Sequence, residues 1–268
     1  MSSRDPNVTY NYFGYEPNEP AAYADATIFG VVALLLFVWN LRIRGWPHPP
    51  LLVATVMECI GFAMRPVSET SRNNYIVCVL CILLSPTIFA MADYTFVPAV
   101  MKEANLRPLG LTPRAFRWIF TLADLGSFVL QCTGGGMTAV KDHSVFETLL
   151  GTKLLFTGLV IAVCIFVLFV VLTWHVHRAL NTEQRDTHRV TVYLSYFHMF
   201  LLILRSAYRV SEYASFQYHN SISTNETLFY VLDAIPMTVL ILSWLPFHPI
   251  FSQKDKPSHE SAVALNAV

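Results

Sequence analysis

The chain has 268 residues, 54% hydrophobic and only 13% charged, with mean hydropathy +0.46 and zero net charge. Soluble globular domains carry about 25% charged residues, so the composition indicates a polytopic helical membrane protein, and the neutral balance leaves no case for nucleic-acid binding. Residues 1–20 are polar and proline-containing without an apolar core, so no cleavable signal peptide is expected and the first apolar run would be its own insertion signal.

Seven runs are long enough to cross about 30 Å of hydrocarbon. They fall at about 21–40, 47–65, 75–101, 116–134, 149–176, 190–213 and 227–247. The expected fold is all-α: a seven-helix transmembrane domain over 21–249, between an N-terminal segment 1–20 and a tail 250–268. The second run opens on His48-Pro49-Pro50, where proline suits a first helical turn. The third contains Pro86 and Pro98, expected kinks. The fourth is the least apolar and closes on Gly134-Gly135-Gly136, which reads as a helix stop, or else as backbone that a neighbour approaches closely. The fifth is uninterrupted, and the sixth ends in RSAYRVSE, Arg205 to Glu212.

Orientation follows from the loops. Arg42 and Arg44, then Lys102, Arg107, Arg114 and Arg117, then Arg178, Arg185 and Arg189, then Lys254 and Lys256 fall on alternate connections and the tail, whereas 214–226 holds no Lys or Arg. The positive-inside rule then places the N-terminus outside and the C-terminus in the cytoplasm. The sequons at Asn7 and Asn225 both fall on the predicted outer side, as candidate glycosylation sites.

With that topology each polar residue has a depth. Glu58 and Arg65 share a face of the second run; Asp124, Ser127 and Gln131 step along the fourth; Arg205, Tyr208, Arg209 and Glu212 lie in the sixth; Tyr230 and Asp233 in the seventh. An ionised side chain at a helix centre costs about 2.5–3.5 kcal/mol. The arginines Arg65, Arg205 and Arg209 are therefore expected to pair with Glu58, Asp124, Glu212 and Asp233 in the outer half of the bundle. Intramembrane charges default to functional sites, so a polar cavity there is the expected binding site, with Tyr94, Tyr208 and Tyr230 placed to flank a cation. Asp124 is the candidate proton carrier, on depth alone. Asp93, toward the inner end of the third run, could pair with Arg107 or Arg114.

Chemistry of other kinds finds little support. The cysteines Cys59, Cys78, Cys81, Cys132 and Cys164 all lie in apolar runs and read as packing residues rather than a disulfide or metal set. His175 and His177 face different ways, and His198, His219 and His248 lie on three segments at different depths, so neither a metal nor another cofactor is expected. There is no P-loop and no G-x-G-x-x-G. A zinc-dependent intramembrane lipid hydrolase is kept as a minor alternative to a non-enzyme.

The segments MECIGFAMR, LLSPTIFAMADYTF, FTLADLGSFVLQCTGGG, RSAYRVSE and ETLFYVLDAIPM, in that order, resemble the RTA-like family of fungal seven-helix membrane proteins, the lipid-translocating exporter family. YEPNEPAAYA is similar to that family's entry to its first helix. The chain departs from the family at Phe62, at Asp93 beside Tyr94, and at Thr95-Phe96-Val97-Pro98. The resemblance implies a plasma-membrane or endomembrane protein. Its partners would be the bilayer and an amphiphilic small molecule: a sphingoid base, a sterol-like toxic amphiphile whose export gives drug resistance, or a porphyrin or haem. A seven-helix lipid or stress receptor is the alternative, although Ala92-Asp93-Tyr94 is no D-R-Y and the last run lacks N-P-x-x-Y. Nothing in the sequence sets an oligomeric state.

Overall fold

The computed structural model describes residues 18–42, 49–68, 71–139, 145–216 and 226–245. Seven helices account for nearly all of them: α1 (Glu19–Arg42), α2 (Pro49–Met64), α3 (Arg72–Glu103), α4 (Pro113–Ala139), α5 (Val145–Ala179), α6 (Thr182–Phe216) and α7 (Glu226–Trp244). No strand occurs among the described residues. The sequons at Asn7 and Asn225, His48, His219, His248 and the tail lie outside them.

Helices α1, α3, α5, α6 and α7 are long and apolar enough to cross a membrane, and α2 is a shorter apolar helix. The case for α4 is its pattern. Phe120, Asp124, Ser127 and Gln131 are buried, at spacings of four, three and four, while Trp118, Leu122, Leu125 and Val129 are exposed. A helix of a soluble protein turns its polar stripe outward. Here the polar stripe faces the interior and the apolar one faces out, the arrangement that lipid requires. The apolar outward faces of α1 (Val31, Leu34, Phe37) and α5 (Val167, Leu168, Val171) agree. The chain is an integral membrane protein with a seven-helix bundle.

Chain neighbours pack on one another throughout, α1 on α2 and onward to α6 on α7, and α1 also touches α7, which closes the bundle. α3 lies inside this ring, against α2, α4, α5 and α6. Its aromatic neighbours seal the core: Tyr94 sits 4.9 Å from Phe169 and 5.5 Å from Phe120, ring centre to ring centre.

Three details of the chain govern the interior. First, Gly134 to Gly136 do not stop α4, which continues to Ala139. Gly134 is instead a close approach: a Cβ there would meet the Gly151 carbonyl oxygen at 2.6 Å, and a Cβ on Gly151 would meet Met137 at 2.7 Å. Of the three glycines it is Gly134 that α5 approaches too closely for a Cβ. Second, Pro86 lies within α3 and brings no N–H, so the Ile82 carbonyl one turn earlier has no helical donor. Third, Pro236 does the same in α7, and the turn before it widens: residues Tyr230–Ala234 form a π turn in which the Ile235 N–H reaches back to the Tyr230 carbonyl.

Candidate functional site

The last two details place the charges. The Ile82 carbonyl that Pro86 leaves open accepts a hydrogen bond from Arg205 Nη2. The π turn carries Asp233 inward, where its carboxylate is fully buried between two arginines. Arg205 Nε lies 2.8 Å from Asp233 Oδ1. Arg209 grips the same carboxylate as a fork, with Nε donating to Oδ1 at 3.1 Å and Nη2 to Oδ2 at 2.6 Å. Arg209 Nη1 donates to Glu212 Oε2 at 2.8 Å, at the half-buried edge of the cluster. On the other side of Arg205, Nη2 stands 3.6 Å from Glu58 Oε1, and Ser85 of α3 donates a hydrogen bond to that same oxygen. Glu58, Arg205 and Asp233 are each at most 1% exposed. One charged layer therefore ties α2, α3, α6 and α7 together.

A second group caps this layer. Arg65, at the end of α2, stacks its guanidinium 3.8 Å from the centre of the Phe229 ring and 5.8 Å from that of Tyr230. Its Nη2 lies 3.9 Å from Glu226 Oε1, which also accepts from the Asn18 N–H at 2.8 Å. The Phe229 ring is shared, with the Arg209 guanidinium 5.3 Å from it. Tyr230 Oη reaches toward the Asn18 carbonyl at 3.5 Å, and Tyr208 is buried in the main core.

Asp124 does not join the arginines, contrary to the expectation from depth. Its Oδ2 accepts from the Tyr94 hydroxyl at 3.3 Å, inside the Phe120–Phe169 aromatic group. Tyr94 is nine residues beyond Ser85 on α3, about 14 Å along the axis, so Asp124 lies well below the charged layer. The residue of α4 that does approach the arginines is Gln131. It lines a narrow gap with Arg205, Arg209 and Pro86, with about 10 Å³ of room for water, enough for about one molecule. Gln131 Nε2 donates to Ser127 Oγ at 3.0 Å, and Ser127 in turn donates to the Gly158 carbonyl of α5 at 2.8 Å.

Asp93 also differs from expectation. Its partner is neither Arg107 nor Arg114 but His198 of α6, with Nδ1 at 3.2 Å from Oδ1. No cluster of His, Cys, Asp and Glu suited to a metal occurs among the described residues.

Residues 51–256 match the family model described as RTA1 like protein. The chain belongs to the RTA1-like family. That match spans every member of the charged layer, from Glu58 to Asp233. Among curated relatives, Protein RTA1 of Saccharomyces cerevisiae is 28% identical over 231 residues, covering 82% of this chain and 70% of the relative. The sphingoid long-chain base transporter RSB1 of Saccharomyces cerevisiae is 23% identical, over 91% of this chain and 75% of its own length. Protein RTM1 of Saccharomyces cerevisiae is 25% identical, over 91% of this chain and 94% of the relative. No solved structure matches.

Sequence reasoning missed four participants in this RTA1-like core: Ser85, the Ile82 carbonyl, Phe229 and Glu226. For the carbonyl a signal existed. A proline four residues on leaves an acceptor inside an apolar helix, and an arginine from another helix is an apt donor. For Glu226 no such signal exists, because its role depends on the pairing of α7 with α1 and α2.

Proposed function

We propose that this protein moves a cationic amphiphile between bilayer leaflets, with the charged layer as the head-group site and the N-terminus outside, so that the layer faces the outer half of the membrane. The observation that carries this reading is Asp233, a buried carboxylate held between two arginines at a widened turn. Two guanidinium groups, Arg205 and Arg209, are in contact with three carboxylates, Glu58, Asp233 and Glu212. An ammonium head group added beside Asp233 or Glu58 brings the count to three cations against three carboxylates. Buried π turns occur often at functional sites, because they can shift without breaking a helix. The name of the relative RSB1, a sphingoid long-chain base transporter, supports a sphingoid-type substrate: a primary ammonium with hydroxyls on a single long chain.

In the structure as it stands the layer is closed, since the gap beside Gln131 takes about one water. Entry of a head group then requires α4 and α5 to move away from α6. Residues Ser127 and Gln131, which bind α4 to α5, would move with them as a unit. Tyr208 and Tyr230 would flank the bound cation, and the proposed residence is the plasma membrane.

Reconstituted into vesicles, the full chain should transfer a fluorescent sphingoid base across the bilayer faster than protein-free vesicles do. Asp233→Asn, which keeps shape and removes charge, should reduce that rate by about tenfold or more, the effect of losing an interaction of roughly 1.4 kcal/mol. A wild-type rate equal to that of empty vesicles would overturn the reading.

A further inference from the structure

A second polar junction joins α3, α6 and α7, separate from the charged layer. His198 of α6 is fully buried. Its Nδ1 lies 3.2 Å from Asp93 Oδ1 of α3, and its Nε2 lies 2.8 Å from Ser243 Oγ of α7. Ser243 also donates to the Leu240 carbonyl at 2.6 Å. A hydroxyl has one proton. With that proton on the Leu240 carbonyl, Ser243 Oγ accepts, and His198 Nε2 must be the donor. The remaining contact, Nδ1 to Asp93, then holds one shared proton, on the imidazole beside an ionised carboxylate or on the carboxyl itself. Either way the pair carries no net charge. If that proton leaves, one negative charge stays behind in an apolar core, where an uncompensated ion is strongly disfavoured. Serine is no nucleophile here, because the imidazole donates to it rather than taking its proton.

We infer that Asp93 and His198 form a proton-binding site, linked through Ser243 to α7, which holds the bundle shut toward the end opposite Arg65. His198 precedes Arg205 by seven residues, two turns or about 10 Å along α6. The same three helices are thus fastened twice: by Arg205, Ile82 and Asp233 at one level, and by His198, Asp93 and Ser243 at the other. Two such fastenings allow one end to open while the other holds. The groups facing His198 are few. α3 supplies Asp93; α7 supplies Ser243 and the Trp244 ring, 4.6 Å from the imidazole; and Ser195 of α6 stands beside Asp93. No Lys, Arg or Glu forms an ion pair with either member among the described residues. Release of the proton to water and opening of this junction are then one event; Tyr94, next to Asp93 on α3, is turned to Asp124 and donates to it.

This inference rests on the translocation reading only for its link to lipid movement, and two measurements keep the two apart. In the first, the purified full chain with labelled histidine is titrated by nitrogen NMR. The His198 nitrogen signals should change in one step as the pair loses its proton and be missing in His198→Gln; in Asp93→Asn that step should be displaced. His198 nitrogen signals that stay constant at every pH would overturn the site, whether or not lipid moves. In the second, a fluorescent sphingoid base is followed in vesicles under an imposed pH gradient. A one-proton step biases the distribution by about tenfold per pH unit. The wild type should show that dependence, and both variants should lose it. A wild type indifferent to the gradient, or a His198→Gln protein as sensitive as wild type, would overturn the coupling. A wild type that moves no probe would overturn translocation and leave the titration to decide the proton site.

Discussion

Replacing Asp233 with alanine should destabilise the protein by about 3–5 kcal/mol, the cost of breaking a buried ion pair from one side. Asp233 is the one carboxylate that both Arg205 and Arg209 contact. Without it Arg205 keeps Glu58 at 3.6 Å and the Ile82 carbonyl, and Arg209 keeps Glu212 on its Nη1 and the Phe229 ring. Each guanidinium would then have lost its closest carboxylate, Asp233 at 2.8 Å and 2.6 Å. The comparison is Glu212→Gln. That side chain is 20% exposed and reaches water, so its loss should cost no more than about 1 kcal/mol. Thermal unfolding in detergent, read by helix content, distinguishes the two. Equal effects of the two substitutions would show that the pairing, rather than Asp233 itself, is what the bundle needs.

The second large effect concerns the α4–α5 contact. Gly134→Leu should loosen that seam by about 1–3 kcal/mol or more, the usual cost of overpacking, because its Cβ alone would meet the Gly151 carbonyl oxygen at 2.6 Å. That obstacle is backbone and cannot swing aside. Gly136→Ala is the control, since a Cβ there meets nothing within 4 Å, and it should be near neutral. The same unfolding measurement applies. A disulfide-trapping assay across α4 and α5 would show whether the helices have separated.

Much of this was legible in the chain and some was not, for physical reasons. Long apolar runs declare membrane helices, and the spacing of Arg205, Arg209 and Glu212 declares that they share a face. Asp233 was expected opposite them because it lies at a similar depth in an adjacent run. Asp124 has a compatible depth too, yet depth does not say which way a side chain points around the helix. Its partner turned out to be Tyr94, since α4 turns that residue toward the α3 aromatic group. His198 failed for a different reason. In the sequence the histidines lie on separate segments at different depths, which speaks against a metal, whereas a lone imidazole can also join a carboxylate to a hydroxyl. Pro236 carried no expectation from the sequence, and the π turn at Tyr230–Ala234 before it is seen only in the structure.

The Ile82 carbonyl has a consequence for how such chains vary. Pro86 opens that acceptor and Arg205 fills it. A change of Pro86 to a residue with an N–H would return the carbonyl to its own helix and leave the Arg205 side chain short of one acceptor. A change of Arg205 would leave that carbonyl, inside a membrane bundle, with only the Ser85 hydroxyl, 3.2 Å away and also turned to Glu58. At the carbonyl, either change alone incurs a penalty that the other reduces. Positions 86 and 205, 119 residues apart and on different helices, should therefore be substituted together across relatives, and an aligned set in which they vary independently would argue that the carbonyl finds another donor.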